Sequence, residues 1–257
     1  MKLRDKLWIW GQTPGLHHIW DQYGLSAETN NMTAFEGAKY FGIPNVCRVP
    51  IGGWPDVPYE QEQMVLDGMN KVCWGTSTQD ETMFNAFKNI VATHPNITAA
   101  VLDDFFNDRY LATQTPDAVT RLREKLHTEP VRPIELWSVL YCDELYEDRK
   151  PFIKECDVIT FWTIDGKLLP QLERNFAKMK ELTEDKPIYC GCYMWDYHGK
   201  RHLPIGLMKY QLDCLYKWLK AGEIEGIIFC SNCIGDIGLE AVAYTKQWIA
   251  EHGDEEI

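Results

Sequence analysis

The chain has 257 residues, enough for one α/β barrel, and its 45% hydrophobic and 25% charged content is that of an ordinary soluble globular domain. A formal charge of −12 with no run of five basic residues argues against a nucleic-acid partner and an anionic membrane surface, and no apolar stretch of about 18 residues is present to span a bilayer. Aromatic residues reach 12%, including ten tryptophans, and such surface is costly to leave wet unless it packs or binds something.

Short apolar, β-rich runs alternate along the chain with longer helical periods, the pattern of βα units. LWIWG (7–11) is the first predicted strand, followed by a loop with Gln12, Pro14, Gly15, His17 and His18. Thr33-Ala-Phe-Glu36 reads as a capping box for a helix that stops at Gly42, with Pro44 beyond. NVCRVP (45–50) follows, then a weak helix over about 58–68 that Asp67-Gly68 ends or breaks. KVCWG (71–75) precedes a second capping box, Thr78-Gln-Asp-Glu81, and TAAVLDD (98–104) precedes Thr115-Pro116, with proline at the first helical position.

IELWSVLY (134–141) is the fifth strand, with Asp143 placed to cap the helix after it. DVITFWT (157–163) leads into a helix with Leu169, Leu172, Phe176 and Met179 on one face. PIYCGCYMW (187–195) leads into another, marked by Leu207, Tyr210, Cys214 and Trp218. EGIIFCS (225–231) is the eighth strand, with Asp236 a suitable N-cap for the last helix. Eight strands separated by helices, with no linker or repeat, predict a single (β/α)8 TIM barrel over residues 1–257. An open doubly wound sheet would want a GxGxxG after the first strand, and none is there.

Nine cysteines, several inside predicted strands, fit a reducing compartment better than a disulfide framework. Cys230-Ser-Asn-Cys233 is a lone CxxC without a second pair, so metal or redox use is not the favoured reading. The first apolar strand begins too early for a signal peptide, so a cytoplasmic location is expected, although a leader removed beforehand would leave the same chain.

Barrel active sites lie at the C-terminal ends of the strands. There the stretch AAVLDDFF places Asp103 and Asp104, and side-chain alternation predicts that at most one of them points straight into the mouth. Phe105 and Phe106 would shield them and raise a carboxyl pKa by desolvation; the plainer alternative is that the pair caps the loop or meets Arg109. The sixth strand ends in Trp162 and Asp165, and the seventh in Tyr193, Trp195, Asp196 and Tyr197. Asp165 precedes Gly166 and has a turn to make, whereas Asp196 has the least obvious structural task, so the candidate catalytic order is Asp103, Asp104 and Asp196, then Asp165.

Six of the ten tryptophans (Trp10, Trp20, Trp54, Trp74, Trp162 and Trp195) fall on the mouth side, where flat rings suit the C–H faces of sugars. Trp10, Trp54, Trp74, Trp162 and Trp195, together with Gln12, His18, Arg48, Phe106, Tyr193 and Tyr197, form the expected substrate-binding set. Arg48 would hold a substrate carboxylate or one of the aspartates, and the His17-His18 pair is better read as a polar contact than as a metal site.

In the order of LWIWG, FGIPNVCRV, VLDDFF, FWTID and YMWDY, essentially the whole chain resembles bacterial glycoside-hydrolase-like TIM barrels, a mostly uncharacterised family. The resemblance implies metal-independent hydrolysis of a glycosidic bond, without a cofactor, by two carboxyl groups flanking that bond. By position it implies Asp103 or Asp104 working with Asp165 or Asp196, and Tyr193 and Tyr197 supporting the ionised partner. Aspartates stand where many such barrels carry glutamates, which widens the gap and tilts the expectation toward inversion. Two other readings compete: a carbohydrate-binding barrel without turnover, and a metal-dependent sugar isomerase, which would want several acids or histidines converging at the rim. A phosphate site at Ser231–Gly235 lacks the glycine density such sites use.

Overall fold

The computed structural model describes residues 1–15, 23–25, 31–50, 58–184 and 186–257. His17, His18, Trp20 and Trp54, expected near the site, lie outside the described residues. Eight parallel strands close on themselves in sequence order, which rules out the open sheet. They are β1 (Leu7–Gly11), β2 (Asn45–Arg48), β3 (Lys71–Gly75), β4 (Ile97–Leu102), β5 (Glu135–Tyr141), β6 (Val158–Trp162), β7 (Ile188–Tyr193) and β8 (Gly226–Cys230). Their side chains are almost all buried, because the helix layer covers one face and barrel filling the other.

Period-two alternation sorts each strand into an inner and an outer set. The inner set is heavily aromatic. Toward the N-terminal end Trp8 meets Trp137 edge-on at 5.1 Å, and Trp137 stacks on Tyr189 at 4.4 Å. Toward the C-terminal end Trp10 and Tyr193 each lie 5.1 Å from Trp162. Gly191 makes this possible: a Cβ there would sit 1.8 Å from the Trp162 ring, so the indole occupies the space a side chain would need.

The first helix, α1 (Ala34–Phe41), has its capping box, with Glu36 N–H donating to Thr33 Oγ1 at 3.2 Å and Thr33 N–H to Glu36 Oε2 at 2.8 Å. It ends where Gly42 turns left-handed at φ 69°. The weak helix is α2 (Tyr59–Leu66), which stops before Asp67-Gly68. The second capping box does not form. Asp80 caps α3 (Glu81–Thr93) through Met83 N–H at 2.8 Å, its charge suiting the helix dipole better than a hydroxyl, while Thr78 donates to Gln114 instead. Thr115 caps α4 (Pro116–Thr128) as the proline predicts.

The fifth gap carries only short turns over Glu147–Arg149 and Lys150–Ile153, so Asp143 has no helix to cap. In α5 (Leu172–Thr183), Leu172, Phe176 and Met179 are buried, with Leu169 in the 3-10 turn ahead of it. The face of α6 (Ile205–Lys220) is rotated from expectation: Met208, Leu212, Leu215 and Leu219 join Cys214 and Trp218 in the core, leaving Leu207 and Tyr210 half-buried. The last helix, α7 (Glu240–His252), starts behind Leu239, because Gly238 turns the chain at φ 79° after Asp236.

All nine cysteines are free and buried. No helix among the described residues is long and apolar enough to cross a membrane. Just past β8, fully buried Asn232 accepts Gln12 N–H at 2.8 Å and donates to the carbonyls of Gln12 (3.0 Å) and Met32 (2.7 Å), tying the loop after β1 to the barrel. Asn232→Ala removes all three hydrogen bonds. The expected loss is about 2–4 kcal/mol of unfolding free energy, read from urea titration with an unchanged slope.

Candidate active site

Where the strands end, a cavity of about 720 Å³ opens at the C-terminal face. Both Asp103 and Asp104 line it. Alternation allowed only one, but β4 stops at Leu102, so the pair lies on a turn and the strand rule no longer applies. Asp104 is left-handed at φ 47°, a conformation that Asp tolerates better than most residues. Its carbonyl accepts Asn107 N–H at 3.2 Å. The turn then drives Phe105 and Phe106 inward, both fully buried and edge-on at 5.3 Å. Phe106 therefore anchors the turn from within the core and does not line the cavity, contrary to expectation.

The two carboxyls have different surroundings. Asp103 is exposed to the cavity, and desolvation by the cavity walls, with the charge of Asp104, pushes its carboxyl up to about 8. Asp104 accepts the Tyr141 hydroxyl at 2.9 Å, and Tyr193 donates its own hydroxyl to Tyr141 at 3.4 Å. Burial, Tyr193 and the two aspartates hold the Tyr141 phenol far above its usual range, so it remains a proton donor across ordinary pH.

A second pair of acids enters from the loop after β5. Asp143 and Glu144 line the cavity, and Glu144 accepts Tyr141 N–H at 2.9 Å. Burial pushes Glu144 up to about 7, against that hydrogen bond and with help from the charges of Asp143 and Asp104. These acids and Tyr141 were missed in the sequence reading. A signal was present: alternation along β5 sends Trp137, Val139 and Tyr141 to one face, and Val139 and Tyr141 both line the cavity.

Several expected site residues are used elsewhere. Asp196 is enclosed and accepts the N–H groups of Gly166 (3.0 Å) and Gly199 (2.9 Å) and Arg201 Nε (2.9 Å). Burial alone would raise its carboxyl, but Gly166, Arg201 and Gly199 more than offset this and hold it below the usual range. It fastens the loops after β6 and β7 and does not line the cavity. Asp165 caps the 3-10 turn Gly166–Gln171 by accepting Lys167 N–H at 2.9 Å, again away from the cavity.

Arg48 and Trp74 sit beside each other in the β2–β3 register and face the helix layer. Arg48 pairs with Glu62 and donates to the Gly11 carbonyl at 3.1 Å, while Trp74 Nε1 donates to Gln63 at 2.8 Å. Trp195 donates to the Tyr23 carbonyl at 3.0 Å and packs on His202. None of these three lines the cavity. Among the described tryptophans expected there, Trp10 and Trp162 do, together with Gln12, Tyr193 and Tyr197. Tyr197 lies 5.2 Å from both Tyr23 and Tyr193, so one wall is built of tyrosines.

The CxxC pair is buried: Cys230 Sγ lies 3.9 Å from the Tyr197 hydroxyl, and Cys233 Sγ donates to the Thr13 carbonyl at 3.3 Å. Burial pushes the Cys233 thiol up to about 12 and Cys230 higher still. Ser231, Asn232 and Cys233 are fully buried, leaving no open anion cradle at that turn. Among the described residues no three His, Cys, Asp or Glu side chains converge where a metal ion could be held.

Fold and cavity together define a (β/α)8 barrel with a carboxylate- and tyrosine-lined pocket at its C-terminal face. No protein-family model matches the chain, and no curated protein matches it by sequence. Its backbone is similar to that of the GH99 endo-α-mannosidase of Bacteroides thetaiotaomicron, with TM-score 0.58 and 12% identity over 96% of this chain and 97% of that one. It is also similar to the catalytic domain of a hyperthermophilic chitinase from Pyrococcus furiosus, with TM-score 0.58 and 11% identity over 98% and 97%. A third similar structure belongs to the tryptophan synthase complex of Pyrococcus furiosus, with TM-score 0.51 and 10% identity over 98% of each chain. Likeness at these identities shows the barrel, a fold shared by enzymes of unrelated chemistry.

Asp103 gives the folded state a pH signature. Its carboxyl lies at about 8 when folded and returns to about 4 when the chain unfolds, so the folded form holds the extra proton between those values. Its contribution to stability is complete below about pH 4 and is lost as pH rises through about 8. Urea titrations across that window should give a shallower decline for Asp103→Asn than for the wild type.

Proposed function

We propose that the chain is a glycoside hydrolase that works without a metal, with Asp103 as the proton donor and Asp104 as the ionised carboxylate. The observation that carries this reading is the pair itself: two neighbouring acids face one cavity, one pushed up to about 8 and the other held by a phenol. A carboxyl that keeps its proton at neutral pH can protonate the leaving glycosidic oxygen. A carboxylate beside it stabilises the positive charge that develops at the anomeric carbon. Tyr141 orients Asp104 through the hydrogen bond it donates. Trp10, Trp162 and Tyr197 supply ring faces for the sugar, and the presence of glycosidases among the similar structures supports the reading. The partner acids implied for the sixth and seventh strand ends have no part here, because Asp165 and Asp196 are engaged by loop backbone.

The test is product release from a panel of oligosaccharides and aryl glycosides. Wild type should turn over at least one member, with a rate that falls as pH rises toward about 8 and Asp103 loses its proton. Asp103→Asn should lower kcat by about 10²- to 10⁴-fold and abolish that basic limb. Tyr141→Phe should lower kcat about tenfold or more with little change in KM, because it acts through Asp104. Saturable glycan binding with no product from any member would replace the hydrolase with a binding barrel.

A further inference from the structure

We propose that the cavity selects a saccharide bearing a positively charged amine, an amino sugar in preference to a neutral or acidic one. The inference rests on the reading above only in taking a sugar as the ligand. Five carboxyl groups line the cavity, those of Asp80, Asp103, Asp104, Asp143 and Glu144. Among the described residues no basic side chain lines the pocket, though the charge of Arg149 reaches Glu144.

Two of the acids show the consequence: Asp103 is pushed up to about 8 and Glu144 to about 7, by burial and by their acidic neighbours. A ligand ammonium supplies the missing charge in a partly desolvated space, where such attraction is stronger than in water. Aromatic faces reinforce it. Tyr23, Tyr193, Tyr197, Trp10 and Trp162 line the same cavity, and a cation is drawn to a ring's negative face. Gln12 also lines the cavity, and its side-chain Oε1 meets no donor among the described residues. An N–H donor on the ligand would satisfy that acceptor. An acidic sugar meets only repulsion in such a site, and a neutral one leaves the field uncompensated.

The experiment is calorimetric titration of the full chain with three trisaccharides, at a pH where the amine is protonated. These are a glucosamine trisaccharide, its fully N-acetylated counterpart and trigalacturonate, with product assayed in the same samples. The amine form should bind at least about tenfold tighter than the acetylated form, and added salt should erode the difference. Trigalacturonate should show no binding. Glu144→Gln, which keeps an acceptor for Tyr141 N–H, should shrink the amine preference while leaving the melting temperature near that of wild type.

Equal or tighter binding of the acetylated sugar, a preference indifferent to salt, or one that survives Glu144→Gln would each overturn the inference. Amine-selective binding without product would keep it and remove the hydrolase. Product from neutral sugars without amine preference would do the reverse.

Discussion

The site depends on one turn. Ending β4 at Leu102 and carrying the chain through a left-handed Asp104 brings two like charges to the same side of the backbone, where a continuing strand would have separated them. Such an arrangement opposes itself electrostatically, and the rest of the turn counters that opposition. Phe105 and Phe106 are driven into the core, and Phe105 packs against Tyr110 at 5.7 Å and Phe152 at 5.9 Å, so the turn is held from beneath by apolar burial. Tyr141 reaches across from β5 to one carboxylate. The other relieves the repulsion by keeping its proton to higher pH.

The architecture was legible because its signals are periodic and repeated. Eight apolar runs of strand length, each followed by a helix signal, leave few topologies open, and the predicted strands overlap the observed ones with ends displaced by no more than two residues. Helix caps were read less well. A hydroxyl three residues before a glutamate suffices at Thr33, but an aspartate two places beyond Thr78 displaces it from the same role. Gly238 likewise moves the last helix start beyond the reach of Asp236.

The site was legible in position but less so in direction. A residue's place near a strand end gives its height in the barrel; whether it faces the cavity or the helices is set by its parity along the strand. Trp10 and Trp74 lie at similar height on opposite faces, which is why one lines the pocket and the other packs on α2. Counting tryptophans at the rim therefore included Trp74 and Trp195, which do not line the cavity, and left out Tyr23 and Tyr141, which do. Asp196 misled for a different reason. Loops that cover a barrel must satisfy their own backbone N–H groups, and an enclosed carboxylate does so for two glycines and an arginine at once. Adjacency to aromatic residues does not distinguish that duty from catalysis.

The placement of the cysteines has a consequence for handling and observing the molecule. All nine cysteines are free and buried, on strands, on α6 and in connecting segments alike. Cys230 borders the cavity, but a bulky alkylating reagent reaches the others only when the surrounding elements separate, so the pace of their labelling measures opening of the barrel segment by segment, with no probe to introduce. The elevated proton affinities of Cys190, Cys192 and Cys230 also keep these three poor nucleophiles while folded, so their reactivity appears with unfolding and grades a preparation by its native fraction.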